Sequence, residues 1–208
     1  MTAALALAGN GFRVVVLEQA ERLEETGAGI QLTPNASRIL IDLGLADRLH
    51  PMATAPAAIR VLSAASGREI VRMPLADADE RYGAPYWAIH RGDLQEALAA
   101  AASQQQGVTI KLGVRAEDFI AHRNGITVMA QGSAGTTDER GAALLAADGL
   151  WSRARARLGH ASSPRFSGRV AWRGVVPARQ VPPEFREPLI HLWLGRDAHF
   201  VHYPVKAG

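Results

Sequence analysis

The 208-residue chain contains no cysteine. That excludes a disulfide scaffold, a thiolate-bound zinc or iron–sulfur centre, and a cysteine nucleophile. Lysine is almost missing, with Lys111 and Lys206 the only two, so the 23 basic residues are nearly all arginine. Twenty acids offset them and leave a net charge of +3. The densest basic cluster, Arg153, Arg155 and Arg157, spreads over two faces of a helix instead of forming one stripe, so no nucleic-acid partner is expected. No apolar run approaches the roughly 18–20 residues that span a bilayer. The stretch from Met1 to Ala8 lacks the basic flank and cleavage site of a signal peptide. A cytoplasmic protein with no membrane partner is the expectation. A Gly-x-Ser-x-Gly elbow and a phosphate-loop lysine are also missing, which leaves serine-hydrolase and P-loop chemistry unsupported. His191, His199 and His202 do not make a metal site on strands, because residues three apart point to opposite faces.

What is present is the composition of a globular protein, 48% hydrophobic with 20 glycines. The length suits one large domain or one and a half ordinary ones. A short apolar helix, Thr2 to Ala8, ends at Gly9-Asn10-Gly11, and Val14 to Leu17 then reads as a fully buried strand closed by Glu18. Gly27-Ala28-Gly29 is a loop, and Thr33 is placed to cap a helix with Pro34 at its first position. Strands are expected at Ala57 to Ser63, Glu69 to Met73 and Trp87 to Ile89. A helix from about Asp93 to Ala102 and a strand from Val108 to Leu112 follow. Asn124-Gly125 marks a hairpin, Gln131 to Arg140 reads as a polar surface loop, and Ala142 to Ala146 as a buried strand running into Asp148-Gly149. Strands at Val170 to Val176, Leu189 to Leu194 and His199 to Tyr203 complete the pattern: a parallel α/β sheet with inserted hairpins, then the opening of an antiparallel sheet.

Three places could carry chemistry. Glu18 ends a strand, as does the acid that binds ribose hydroxyls in dinucleotide-binding βαβ units, although a surface acid is the simpler reading of that residue alone. Asp148-Gly149 opens a helix where backbone N–H groups can meet an anionic pyrophosphate, or is a routine turn capped by Ser152. Arg91, between a strand and a helix, can approach a phosphate or a ring by a fork of hydrogen bonds, or simply be solvated.

Taken in order, five segments resemble the single-component FAD-dependent aromatic monooxygenases of the salicylate hydroxylase and hydroxybenzoate hydroxylase type. They are Val14-Val15-Val16-Leu17-Glu18-Gln19, Gly27-Ala28-Gly29-Ile30-Gln31-Leu32-Thr33-Pro34-Asn35-Ala36, Ile89-His90-Arg91-Gly92-Asp93-Leu94, Ala147-Asp148-Gly149-Leu150-Trp151-Ser152-Arg153-Ala154-Arg155, and Ala171-Trp172-Arg173-Gly174 with His202-Tyr203-Pro204. The resemblance implies an incomplete Rossmann-like FAD-binding sheet with inserted β-hairpins over residues 1–160, its strands 57–90 near the substrate side. Residues 161–208 would begin an antiparallel-sheet substrate domain. Glu18, Gln19, Arg91, Leu112, Asp148 and Gly149 would contact FAD, with NADH or NADPH as co-substrate. Tyr203 matches a tyrosine that assists the proton of the substrate's hydroxyl, and Gln31 stands where some relatives carry a histidine. A glutamine is no base at neutral pH.

The implied reaction is hydroxylation of a phenolic or aromatic-acid substrate with dioxygen, in a parent that could form a homodimer. A non-hydroxylating FAD oxidoreductase, an epoxidase and a non-catalytic remnant of the fold are the alternatives. The family's first strand and Gly-x-Gly-x-x-Gly turn would fall before Met1, and its second Asp-containing motif after Gly208. The expectation is therefore a piece truncated at both ends and inactive, or nearly so, by itself.

Overall fold

The structure is a computed structural model and describes residues 1–23, 27–160 and 163–206. In chain order the first elements are α1 (Thr2–Gly9), β1 (Val14–Glu18), β2 (Gly29–Leu32), α2 (Pro34–Asp42) and α3 (Ala46–Leu49). There follow β3 (Ala58–Ser63), β4 (Glu69–Pro74), α4 (Ala78–Tyr82), β5 (Trp87–His90), α5 (Arg91–Gln104) and β6 (Val108–Leu112). The last are β7 (Arg115–His122), β8 (Gly125–Gly132), β9 (Gly135–Gly141), α6 (Arg153–Arg157), β10 (Leu189–Leu194) and β11 (His199–His202). The chain divides into two compact units, one of residues 1–12, 24–106 and 173–208, the other of residues 13–23 and 107–172. Among the described residues no helix is long and apolar enough to cross a membrane.

In the second unit, β1 pairs in parallel with β6, from Val14 opposite Val108 to Glu18 opposite Leu112. The β-branched run Val14-Val15-Val16 suits an extended backbone, but the strand is half-buried instead of fully buried, and Val15 is 46% exposed. Among the described residues β6 is its only ladder partner, so one edge lies open. β7, β8 and β9 form an antiparallel meander. The hairpin occurs where Asn124-Gly125 predicts it, shifted by one residue: His122 pairs with Gly125, leaving Arg123 and Asn124 as the turn. Gly125 is required for another reason, since a Cβ there would sit 2.5 Å from the Gly141 carbonyl oxygen.

Three sequence expectations in this part of the chain fail. Gln131 to Arg140 is not a surface loop, because β8 runs on to Gly132 and returns as β9 through Ser133-Ala134. Its polar residues sit on an edge strand, where Thr136 donates to Gln131 Oε1 at 2.7 Å and Glu139 pairs with Lys111 at 2.5 Å. Conversely, the apolar stretches Ala142 to Ala146 and Val170 to Val176 are not strands, and Leu145, Val170, Val175 and Val176 are exposed. Hydrophobicity permits a strand, but only a neighbour with free backbone groups makes one, and neither stretch has such a neighbour among the described residues.

In the first unit, β2 and β5 pair antiparallel, with Gly29 opposite His90 and Gln31 opposite Ala88. Thr33 holds the N-cap position of α2 with Pro34 first in the helix, although its hydroxyl donates to Asn35 Oδ1 and makes no capping hydrogen bond; the buried Ser37 hydroxyl donates to the Pro85 carbonyl at 2.5 Å. A mixed four-stranded sheet runs β11-β10-β3-β4, with β10 parallel to β3 and antiparallel to β11. Alternation divides its side chains. Ile190 faces a core of Ala78 and Tyr86, with Ile59, Leu75 and Tyr203 packed around it.

His191 and Trp193 face the other way with His202. The His191 and His202 rings stack 4.5 Å apart, Phe185 meets both edge-on, and the Trp193 indole N–H donates to His202 Nε2 at 3.1 Å. His191 is fully buried, and among the described residues neither ring nitrogen has a hydrogen-bond partner. Burial, then the neighbouring His202, Arg60 and Arg72, push its pKa down to about 4 from the ordinary 6.5, against the opposing pull of Glu69.

Between those two values the unfolded chain binds more protons than the folded one, so stability falls as pH drops from about 6.5 to 4. The thermal midpoint of the protein is expected to decline over that window, and His191→Leu to flatten the decline. A His191→Leu variant with an unchanged pH slope would contradict this account.

Candidate functional site

The predicted cofactor residues in the second unit fall at two places. β1 delivers Glu18 to the end of a parallel strand beside Leu112, its register partner on β6. The Glu18 carbonyl accepts from the Val114 N–H at 2.9 Å, and its Oε1 accepts from the Ala20 N–H at 2.8 Å. Oε2 carries no hydrogen bond among the described residues. Gln19 is exposed and Leu112 is 41% exposed, so this strand end is an open, carboxylate-tipped ledge.

Asp148 and Gly149 lie in the turn that opens α6. Gly149 has φ +72°, a left-handed conformation that L side chains resist. The Asp148 carboxyl is held below the usual carboxylate value chiefly by a hydrogen bond from Ser152, aided by the Ala154 N–H, which donates to Oδ2 at 3.1 Å. Ser152 in turn caps α6 by accepting from the Arg155 N–H at 3.0 Å. What the structure shows is the capped turn, with the Asp148 carboxylate engaged by the helix it precedes. The arginines beside it are also engaged. Arg153 pairs with Glu117, and Arg157 with Asp118 at 2.8 Å, both acids on β7, while Arg155 donates to the Leu150 carbonyl at 2.7 Å.

In the first unit Arg91 is the first residue of α5, and its main-chain N–H donates to the Ala28 carbonyl at 2.9 Å. His90 caps that helix, its Nδ1 accepting from the Gly92 N–H at 3.2 Å. Strand β2 brings Gln31 to Tyr203, which follows β11. Burial pushes the Tyr203 phenol pKa up from its ordinary value, and the neighbouring Gln31 side chain opposes that rise. The ring lies against the Gly29 backbone so closely that a Cβ there would stand 2.8 Å from Tyr203 Cε2, 2.9 Å from its hydroxyl and 2.6 Å from Val205 Cγ1.

A third member of this group escaped the sequence reading. The hydroxyl of Tyr86, a residue 8% exposed, donates to Gln31 Oε1 at 2.7 Å. Tyr86 and Ala88 share a face, and Ala88 is the register partner of Gln31, so Tyr86 sits on the diagonal. The one signal in the sequence was a tyrosine leading an otherwise apolar buried strand, whose hydroxyl needs a partner. The partner lies 55 positions earlier.

The whole chain finds close counterparts. Residues 1–204 match the FAD binding domain family. The chain belongs to that family. It is 35% identical over 210 residues to 3-hydroxybenzoate 6-hydroxylase 1 of Aquipseudomonas alcaligenes, covering 100% of this chain and 52% of that protein. It is 37% identical over 210 residues to 3-amino-4-hydroxybenzoate 2-monooxygenase of Streptomyces cremeus, covering 100% and 51%. Thus this FAD binding domain chain spans about half the length of the curated relatives it matches. Its fold is that of Klebsiella pneumoniae HpxO, solved with FAD and uric acid, at a TM-score of 0.78 and 23% identity over 100% of this chain and 51% of that one. The mixed α/β architecture with several sheets is the partial fold of this family.

The contact at Gly29 yields a test. Gly29→Ala must displace a packed ring and is expected to cost about 1–3 kcal/mol of stability. Gly9→Ala, where a Cβ meets no described atom within 4 Å beyond its own chain neighbours and helix backbone, should be neutral or stabilise by up to about 1 kcal/mol. Paired urea denaturation curves would measure both, and equal midpoints for the two variants would refute the close approach.

Proposed function

We propose that the protein is part of an FAD-dependent monooxygenase that hydroxylates a phenolic or aromatic-acid substrate using NADH or NADPH and dioxygen. The observation that carries this reading is the Gln31–Tyr203 pair seated on Gly29 in a chain that matches the FAD binding domain family over residues 1–204. The names of relatives that act on hydroxybenzoates and aminohydroxybenzoates support the substrate class.

The residues present fit the cofactor. The ledge at Glu18 offers a carboxylate oxygen to ribose hydroxyls, with Gln19 beside it and the Leu112 backbone as a flat neighbour for adenine. Arg91 at the start of α5 is assigned to the flavin, and Asp148 with Gly149 to the nucleotide side. FAD, when bound, takes electrons from the nicotinamide and supplies one oxygen atom of dioxygen to the ring. This chain's own contribution is orientation. Tyr203 and Gln31 hold a substrate substituent by hydrogen bonds, while Ile59, Leu75 and Ile190 pack about Tyr203. In this reading residues 1–160 serve the flavin and residues from 161 the substrate, with strands 57–90 on the substrate side. The pairing of β3 with β10 in one sheet supports that division.

Glu18→Gln removes the charged acceptor from the ledge and is expected to weaken FAD binding about 10- to 100-fold, as loss of a hydrogen bond to a charged group does. Flavin fluorescence titration reads this directly. The reaction itself is tested on the full-length protein that contains this chain, with isotopically labelled dioxygen and a panel of hydroxybenzoates in the presence of FAD and NADH or NADPH. Label in the ring product is the expected result. Substrate oxidised without label would assign a non-hydroxylating oxidoreductase instead, and the absence of bound FAD in wild type would overturn the reading.

A further inference from the structure

The start of α5 is tied to the segment Gly27-Ala28-Gly29 at three successive points. Gly29 stands opposite His90 in the β2–β5 ladder, and the Arg91 N–H donates to the Ala28 carbonyl at 2.9 Å. The third point is the His90 side chain. A Cβ on Gly27 would lie 3.1 Å from its Nε2, and a Cβ on Gly92 would lie 3.0 Å from Nδ1 and 3.1 Å from Cε1. The imidazole is therefore bordered by two glycines from distant parts of the chain, and each leaves room for it by having no side chain.

Among the described residues the ring makes one hydrogen bond, Nδ1 accepting from the Gly92 N–H at 3.2 Å. Only a nitrogen with a free lone pair can accept, so Nδ1 carries no proton and the neutral ring is protonated on Nε2. Asp93 Oδ1 lies 3.9 Å from the same nitrogen, beyond hydrogen-bond reach. The two partners exclude one another, because a proton on Nδ1 would serve the carboxylate and displace the Gly92 N–H. Serine, threonine, aspartate and asparagine are the usual residues for such a cap. What imidazole adds is reach: its far nitrogen extends to Gly27 while the near one caps α5.

We propose that His90 is a positioning residue for the flavin: its neutral imidazole, protonated on Nε2 alone, holds the first turn of α5 against the Gly27-Ala28-Gly29 segment and so fixes Arg91. The inference rests on the assignment of Arg91 to the flavin under the proposed function. Arg91 is the first residue of α5 and adjoins the cap, so loss of the cap frees the turn that carries it. Binding of FAD must then re-order that turn, and the affinity falls accordingly.

Two substitutions separate the parts of the ring. His90→Asn keeps an acceptor at the cap and removes the ring, whereas His90→Phe keeps a ring beside the glycines and removes the acceptor. Both are tested by flavin fluorescence titration of the full-length protein that contains this chain. FAD is expected to bind about five- to tenfold more weakly to His90→Phe, and within about twofold of wild type to His90→Asn. Gly92→Ala gives a third reading. Alanine normally stabilises a helix relative to glycine, yet its Cβ here must push the ring off the amide, so FAD affinity is expected to fall as in His90→Phe.

Equal affinity in wild type and His90→Phe overturns the inference. So does an equal loss in His90→Asn and His90→Phe, which would make bulk and not the acceptor the source of the effect. A variant can fail to fold, so the tautomer is also read on wild type, by nitrogen NMR of isotopically labelled histidine at mildly alkaline pH. The His90 signal is expected to be that of the Nε2–H form, and a proton on Nδ1 overturns the inference whatever the variants do. If wild type takes up no FAD, the proposed function fails and this inference with it. If wild type binds FAD and His90→Phe binds it equally well, the inference fails alone.

Discussion

The approach of the Tyr203 ring to the backbone of Gly29 joins two stretches of chain that lie far apart in sequence, and much of the first unit is arranged around it. β2 must carry a residue with no side chain at that point, and Val205 closes over the same spot. The next outward position on β2 is Gln31, whose amide then falls between Tyr203 and Tyr86. The Tyr86 ring extends into the core formed with Ala78 and Ile190, so polar contacts and apolar packing are supplied by opposite ends of the same side chains. Moving the glycine by one residue would turn its vacancy to the other face of the strand and separate the two tyrosines from the amide.

The second unit solves a different problem with the same economy of elements. A parallel strand pair leaves its carboxyl end without side-by-side turns, because the connection between parallel strands must leave the sheet altogether. Glu18 and Leu112 therefore finish together on an open ledge, and Gly113 and Val114 fold back to hold the Ala20 and Glu18 carbonyls. Asp148 is built in the opposite manner, with its carboxylate bound to Ser152 and Ala154. One acid is presented and the other is structural in its immediate contacts, although both follow an apolar stretch in the sequence.

How far these arrangements can be read from the amino-acid order depends on the range of the forces that make them. The helix start at Thr33-Pro34, the cap at Ser152 and the hairpin near Asn124 are set within four residues, and all are legible. The strand β9 is not, because Thr136 to Arg140 became a strand through the edge offered by β8 and not through its own apolarity. Ala142 to Ala146 and Val170 to Val176 fail for the converse reason, being apolar enough to pair but without a neighbour. The motifs flagged Gln31 and Tyr203, and the fold brings them together. Tyr86 was invisible because its role is a diagonal cross-strand contact whose register no short window contains.

The choice of an amide at the centre of the tyrosine pair has a consequence for any proton chemistry there. Histidine in that position would change its charge near neutrality and could reverse its hydrogen-bond direction as it did so. Glutamine keeps one oxygen and one NH2 group at every accessible pH. With both flanking phenols raised by burial, nothing in the trio ionises near neutrality, and the hydrogen bond from Tyr86 to Gln31 keeps its direction across that range. Such a group does not remove a substrate proton. On the proposed reading, it holds a negative or electron-rich oxygen in place and leaves deprotonation to the substrate's own acidity or to a base elsewhere. A ring that already carries an acidic phenol or a carboxylate satisfies that requirement, whereas an unactivated arene does not.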